Sequence, residues 1–259
     1  MPGQPRVIAA GKTDVGRKRT HNEDSFALVE SESLYMVADG MGGHSSGEVA
    51  SRMAIDTMRE FFRATSADPE ATWPYKMDKT RGYEENRLIT GINLANRRIY
   101  DASQRESHLH GMGTTIVGLL CVQNQCLIGH VGDSRVYRLR GDAMQQLTED
   151  HSLLNDYIKM KSMTPQEIEN FPHKNVIVRA LGMKETVKVD AILDTPQPGD
   201  LYVLCSDGLA GPLTDDEIHS VLVKHNKDLG QAAQALVDEA NNNGGPDNVT
   251  VVLCRWMGA

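Results

Sequence analysis

The sequence predicts an α+β fold built on an antiparallel β-sandwich flanked by α-helices. Three observations carry that reading. Short apolar and β-branched runs occupy both ends and the middle of the 259-residue chain. Turn-sized gaps join several of these runs, as hairpins require. The helical patterns arrive as inserted pairs and do not alternate with the strands, which argues against a parallel doubly wound sheet.

In chain order, the runs 5–12, 25–30 and 34–39 read as strands, each short and punctuated by glycine or aspartate. A helix follows, marked by Val49, Met53, Ile55, Met58 and Phe62 near helical spacing. Ser45 and Glu48 are spaced as a capping box, which satisfies the first free amides of such a helix. A second helix covers about 84–103, where Leu88, Ile92, Ala95, Ile99 and Ala102 form one apolar stripe. Strand runs resume at 113–122, 125–132 and 134–140, with Gln123-Asn124 and Arg140-Gly141-Asp142 as turns. Residues 149–183 are less regular. Leu153, Leu154, Tyr157 and Ile158 suggest a helix, 164–170 a second short one, and Phe171-Pro172-His173 a break, so this segment reads as a surface excursion suited to recognition. Runs 186–193 and 200–206 return to strand. Helices over 215–223 and about 229–241 follow, the latter carrying Ala232, Leu236, Val237 and Ala240, and a final strand covers 248–256. No repeat, low-complexity block or proline-rich linker divides the chain, so one domain over 1–259 is expected, with a flap-like excursion at 149–183.

Composition narrows the function. A formal charge of −8 with both signs interspersed argues against a nucleic-acid partner, which needs clustered cations to neutralise phosphates. The basic stretch Arg17-Lys18-Arg19 is too short to reverse that balance. Cys121, Cys126, Cys205 and Cys254 lack CxxC spacing and sit in apolar runs, as small buried hydrophobes do. Reduced thiols, no apolar leader at Met1-Pro2-Gly3-Gln4-Pro5-Arg6 and no run long enough for a bilayer point to a cytoplasmic protein with no membrane partner. Asn248-Val249-Thr250 is accordingly a strand entry, not a glycosylation site.

The chemistry is written in aspartates. Three apolar runs end on one beside glycine: 34–40 at Asp39-Gly40, 127–133 at Gly132-Asp133, and 201–208 at Asp207-Gly208. In Gly244-Gly245-Pro246-Asp247-Asn248 a turn delivers a fourth to the start of a run. An unpaired carboxylate at the rim of a buried sheet is costly, and hard divalent cations are the usual partner of several at once. Carboxylates and carbonyls suit Mg²⁺ or Mn²⁺, and no Cys/His cluster has zinc spacing.

Joined to Arg19-Thr20-His21-Asn22-Glu23-Asp24, Gly113-Thr114-Thr115 and Leu147-Thr148-Glu149-Asp150-His151-Ser152, this ordered set resembles the metal-dependent protein phosphatase family, also called protein phosphatase 2C. The likeness extends from Thr13-Asp14-Val15-Gly16 to Val252, and the bacterial stand-alone form is the closer match. It implies a four-layer fold, with two antiparallel sheets face to face and helices outside each. It also implies two Mn²⁺ or Mg²⁺ ions, and hydrolysis of phosphoserine and phosphothreonine by in-line attack of a metal-bridging hydroxide, without a phosphoenzyme. On that resemblance Asp39 bridges both ions, Asp207 and Asp247 bind the first, the carbonyl of Gly40 binds the second, and Glu23 acts through metal-bound water. Asp24 either touches a metal or orients a water. Arg19 is the phosphate ligand, since its planar guanidinium can grip two phosphate oxygens. Phosphorylated proteins, a Ser/Thr kinase and its substrates among them, are the implied partners of a monomer.

Two departures stand out. Asp133 with Asp207 matches a weaker third metal site, but Gly211 stands where many members carry another aspartate, so that site should be labile; a strand-end turn formed with Ser134 and Arg135 is the alternative role for Asp133. Met41 stands where some eukaryotic members place a histidine for the leaving group, which leaves water, His21 or His44 as proton donor. Two other classes compete: a catalytically silent scaffold and a phosphatase for a small phosphorylated metabolite.

Overall fold

The computed structural model describes residues 5–42, 46–68, 72–161, 163–169, 171–173 and 176–258. The apolar runs pair into two antiparallel sheets. One has the order β1 (Val7–Asp14), β11 (Val249–Trp256), β10 (Leu201–Cys205), β7 (Arg135–Arg140), β8 (Ala143–Gln146). The other runs β2 (Asp24–Val29), β3 (Leu34–Met41), β5 (Ile116–Val122), β6 (Gln125–Val131), β9 (Asp190–Asp194), with β4 (Gly113–Thr114) pairing the end of β3.

Why these strands read as continuous apolar runs is visible in their burial. Alternate residues point to opposite faces of a strand, and here both faces are covered. Tyr35, Val37, Val117, Leu119 and Ile128 meet Val136, Tyr202, Leu204 and Val252 between the sheets. Their neighbours Leu34, Met36, Ala38 and Leu120 face outward onto α1 (Ser46–Ala67) and α2 (Tyr83–Arg105), against Ala54, Met58, Phe62, Leu88, Ile92 and Ile99. On the opposite side Leu139, Val203, Val251 and Leu253 meet Ile218 and Leu222 of α6 (Asp215–Lys224) and Leu236 and Val237 of α7 (Leu229–Asn242). The order is helix, sheet, sheet, helix.

Several expectations shift in detail. The run 113–122 is broken at Thr115, whose amide turns to the Asp39 carbonyl at 2.8 Å. Pairing in the run 186–193 begins only at Asp190, because Val187 and Val189 pack into the helical layer instead. Val49 is exposed, and Ala50 and Ala54 take the buried stripe of α1. Ser45 of the expected capping box lies outside the described residues, as do Gly43, His44 and Asn170. A capping box does form at Thr214 and Glu217, ahead of α6. The excursion holds α3 (Leu153–Met160), capped by Ser152, and the short α4 (Pro165–Glu169).

Antiparallel pairing brings strand starts and strand ends to one place. Asp24 opens β2 opposite Asp39 near the end of β3. Cys205 closes β10 opposite Val251, two residues into β11. Asp39, Asp133, Asp207 and Asp247 are thereby delivered to one end of the sandwich.

Candidate metal and phosphate centre

Asp39 is held by its own main chain. Its amide bonds the Thr115 hydroxyl at 3.0 Å, and its carbonyl accepts from the Thr115 amide and the Thr114 hydroxyl, each at 2.8 Å. The carboxyl group is left for the cleft, where it shares a hydrogen bond with Asp207, the first residue of α5 (Asp207–Ala210). Burial, and then the charges of Asp24, Asp207 and Asp133, hold Asp39 well above the usual carboxylate range. Asp207 is raised too, by burial first and then by Asp247.

Asp24 sits behind this pair. Its Oδ2 accepts from Ser206 Oγ at 2.8 Å and Thr250 Oγ1 at 2.7 Å, while Oδ1 is buried without a hydrogen-bond partner. Burial pushes Asp24 up to about 7, against the two hydroxyls and with the help of Asp207 and Asp247. Asp133 is likewise pushed up to about 7, chiefly by burial and then by Asp207, and its Oδ1 is also buried without a partner. Ser134 bonds Thr115 at 2.7 Å and Arg135 forks onto Asp150, while the charge of Arg135 also favours the ionised Asp133 carboxylate, so the strand-end turn expected here and the open carboxyl oxygen occur together.

Arg19 lies on the rim, half-exposed, and donates from Nη2 to Asp247 Oδ2 at 2.6 Å. The other Asp247 oxygen accepts the Asn248 amide. Glu23 lies against the first turn of α1: a Cβ on Gly47 would be 2.7 Å from Glu23 Oε1. Gly40 is required where it stands, because a Cβ there would fall 2.1 Å from the Gly47 carbonyl oxygen and 2.5 Å from that of Glu23. Gly208 is equally constrained, since its Cβ would lie 1.9 Å from the Asn248 carbonyl oxygen, and this close approach brings Asp207 beside Asp247. The sequence reading missed how much Asn248 does. Its side chain accepts the Glu23 amide at 2.8 Å and donates to the carbonyls of Val15 and His21, so it fixes the loop carrying Arg19.

The group as a whole fits hard divalent cations. Its donors are all oxygens, its carboxylates repel one another upward in pKa, and two buried oxygens lack partners. Asp39, Asp207 and Asp247 could hold one ion, Asp39 and the Gly40 carbonyl a second. Beside them a cavity of about 270 Å³ is lined by Asp133, Asp150, Asn155, Asp207 and Gly211, and a Cβ at Gly211 would stand 2.9 Å from the Asp207 carbonyl oxygen.

A second polar cluster was not foreseen. His130, His151 and Asp190 converge behind the Gly132-Asp133 turn. His151 Nδ1 accepts the Gly132 amide at 3.0 Å, and its Nε2 meets Asp190 Oδ2 at 3.1 Å and Arg179 Nη1 at 2.9 Å. With those nitrogens engaged and a guanidinium alongside, the cluster acts as a bolt between the excursion's root and β6. Only the motif containing His151 signalled it in the sequence.

Comparison with known proteins identifies the family. Residues 13–243 match the family model described as Protein phosphatase 2C. A serine/threonine phosphatase, stp, from Listeria innocua is 38% identical over 249 residues, 93% of each chain. The serine/threonine phosphatase PstP/Ppp of Mycobacterium tuberculosis superposes with a TM-score of 0.84 at 33% identity, covering 97% of this chain and 99% of that one. The catalytic domain of PstP in complex with two manganese ions gives a TM-score of 0.80 at 32% identity, covering 97% and 98%. The chain belongs to the protein phosphatase 2C family, whose members are metal-dependent phosphatases.

Proposed function

We propose that this chain removes phosphate from phosphoserine and phosphothreonine in proteins, as a single-domain cytoplasmic monomer loaded with two Mn²⁺ or Mg²⁺ ions. The observation that carries the reading is the convergence of Asp24, Asp39, Asp133, Asp207 and Asp247 at one end of the sandwich, with Arg19 on the rim. Asp39 would bridge the ions, Asp207 and Asp247 would complete the first site, and the Gly40 carbonyl the second. When bound, the cations lower the pKa of a water for in-line attack and offset charge on the phosphoryl oxygens. Asp133 with Asp207 would take a weaker third ion.

The chain's own residues do the rest. Arg19 leaves Asp247 and grips two phosphate oxygens, which fixes the phosphorus and stabilises charge developing on it. Asp24, held by Ser206 and Thr250, presents its free oxygen to the centre and keeps a water oriented there. Glu23 does the same from the α1 side. Met41 offers no proton to the leaving group, so that proton comes from water, His21 or His44. Unpaired cysteines, and the absence of a helix long and apolar enough to cross a membrane among the described residues, support the cytoplasmic assignment. A Ser/Thr kinase and its substrates are the partners this chemistry serves.

The test is an assay with Mn²⁺ on a phosphothreonine peptide and on p-nitrophenyl phosphate, for the wild type and Asp39→Asn. Turnover of both substrates by the wild type and of neither by the variant is expected. Turnover of the aryl ester alone would favour a small-metabolite phosphatase, and an inert wild type a scaffold.

A further inference from the structure

A groove of about 380 Å³ opens beside the acidic centre, on the far side of Met41. That volume is within the range of pockets that hold ligands. Met41 ends β3 two residues after Asp39 and pairs with Gly113, and the Met183 side chain lies over Gly113, with its sulfur 3.3 Å from where a Cβ would stand. The groove is therefore continuous with the strand end that presents Asp39. Its apolar wall includes Val178 and Met183, which are 43% and 56% exposed, a high exposure for such side chains.

The charge of the groove opposes that of the molecule. Arg179, Lys184 and Lys188 line it and no acidic residue does, in a chain of net charge −8. Arg179 and Lys188 share Asp190, at 3.0 and 3.8 Å, which leaves an excess of positive charge. Lys184 pairs with no acid among the described residues. The wall is also pre-formed. Val178 donates its amide to the His151 carbonyl at 2.9 Å, and Leu181 exchanges main-chain hydrogen bonds with Thr114 at 2.8 and 3.1 Å. A groove fixed in advance binds a flexible chain at lower ordering cost than a mobile loop would.

We propose that this groove binds the substrate chain on one flank of the phosphorylated residue, and that it selects a flank with an apolar side chain next to acidic ones. The proposal rests on the protein phosphatase reading. Phosphate and cations bind every phosphoester alike, so discrimination among phosphoproteins has to arise from contacts like these. The apolar side chain packs between Met41, Val178 and Met183, and the acidic neighbours face Lys184 and Lys188.

Two phosphothreonine peptides test this, one with the flank Leu-Asp-Glu and one with Gly-Ser-Lys, beside p-nitrophenyl phosphate, all with Mn²⁺. The wild type should favour the first peptide by about tenfold in kcat/KM. Lys184→Glu and Met183→Glu, both at the surface, should each cut that preference by about fivefold through KM, and leave the aryl ester within about twofold of wild type. Equal kcat/KM on the two peptides, or variants that slow peptide and aryl ester alike, would overturn the groove while sparing the phosphatase reading. Hydrolysis of the aryl ester with neither peptide cleaved would overturn that reading itself.

Discussion

Arg19 pairs with Asp247 at 2.6 Å, which sets the guanidinium at the edge of the carboxylate cluster. Arg19→Ala should lower kcat/KM on a phosphopeptide by about 100-fold, the loss typical of removing one charge-stabilising donor. Arg19→Lys should recover only part of it, since an ammonium cannot fork onto two oxygens. Complete recovery in steady-state kinetics would refute bidentate binding. Arg19 was legible from its place ahead of two acids; Asn248 was not, because an asparagine shows its value only once its three main-chain partners are known. His130 makes a different prediction. It is 1% exposed, stacked on His151 and faced by Asp190 and Arg179, and burial first, then His151, lowers it to about 4. A histidine with a depressed folded pKa binds fewer protons folded than unfolded between about 4 and the ordinary value near 6.5. The contribution of His130 to stability should therefore fall as pH drops through that window and be flat above it. Urea unfolding with a chelator present should show a loss between pH 7 and pH 5 that is about 2 kcal/mol larger in wild type than in His130→Asn. Parallel profiles would show that His130 does not titrate this way.

At the scale of elements, the strands and long helices were legible because both faces of each strand are covered and the helical stripes are regular. β8 was not. It is a four-residue edge strand, Ala143–Gln146, with two glutamines and no apolar alternation. The helix at Asp207 was also hidden, since an apolar run gives no sign of where its strand pairing stops and a turn of helix starts. The excursion was legible as irregular, and its anchoring explains why it is not loose at the root. Leu153 and Val178 donate amides to the Val176 and His151 carbonyls, and His151 in turn holds Gly132. Exchanging 154–173 for a relative's segment leaves that root intact. Preference among phosphoproteins should change while p-nitrophenyl phosphate turnover stays near wild type; equal loss on both would remove the excursion from substrate choice.

Across the whole molecule, the sandwich concentrates acidic groups that it cannot neutralise by itself. Asp24, Asp39, Asp133 and Asp207 are all raised by burial before any other cause, and two of their buried oxygens have no partner. The aspartates at the ends of antiparallel strands made this candidate site readable from sequence, because isolated carboxylates serve no purpose in packing. The mutual geometry was not readable, since it depends on Gly208 meeting Asn248 and on Thr115 turning toward Asp39. On the proposed reading catalytic function is set against stability, and bound cations would reconcile the two. The most direct measurement is the melting temperature of wild type and Asp39→Asn, each with a chelator and with saturating Mn²⁺. Relief of repulsion should make metal-free Asp39→Asn melt above metal-free wild type. Mn²⁺ should then raise wild type by about 5 to 10 °C, as expected for roughly 3 kcal/mol of binding, and leave the variant nearly unmoved. A variant that melts lower without metal and gains as much from Mn²⁺ as wild type does would contradict the assignment of Asp39 as the bridging ligand.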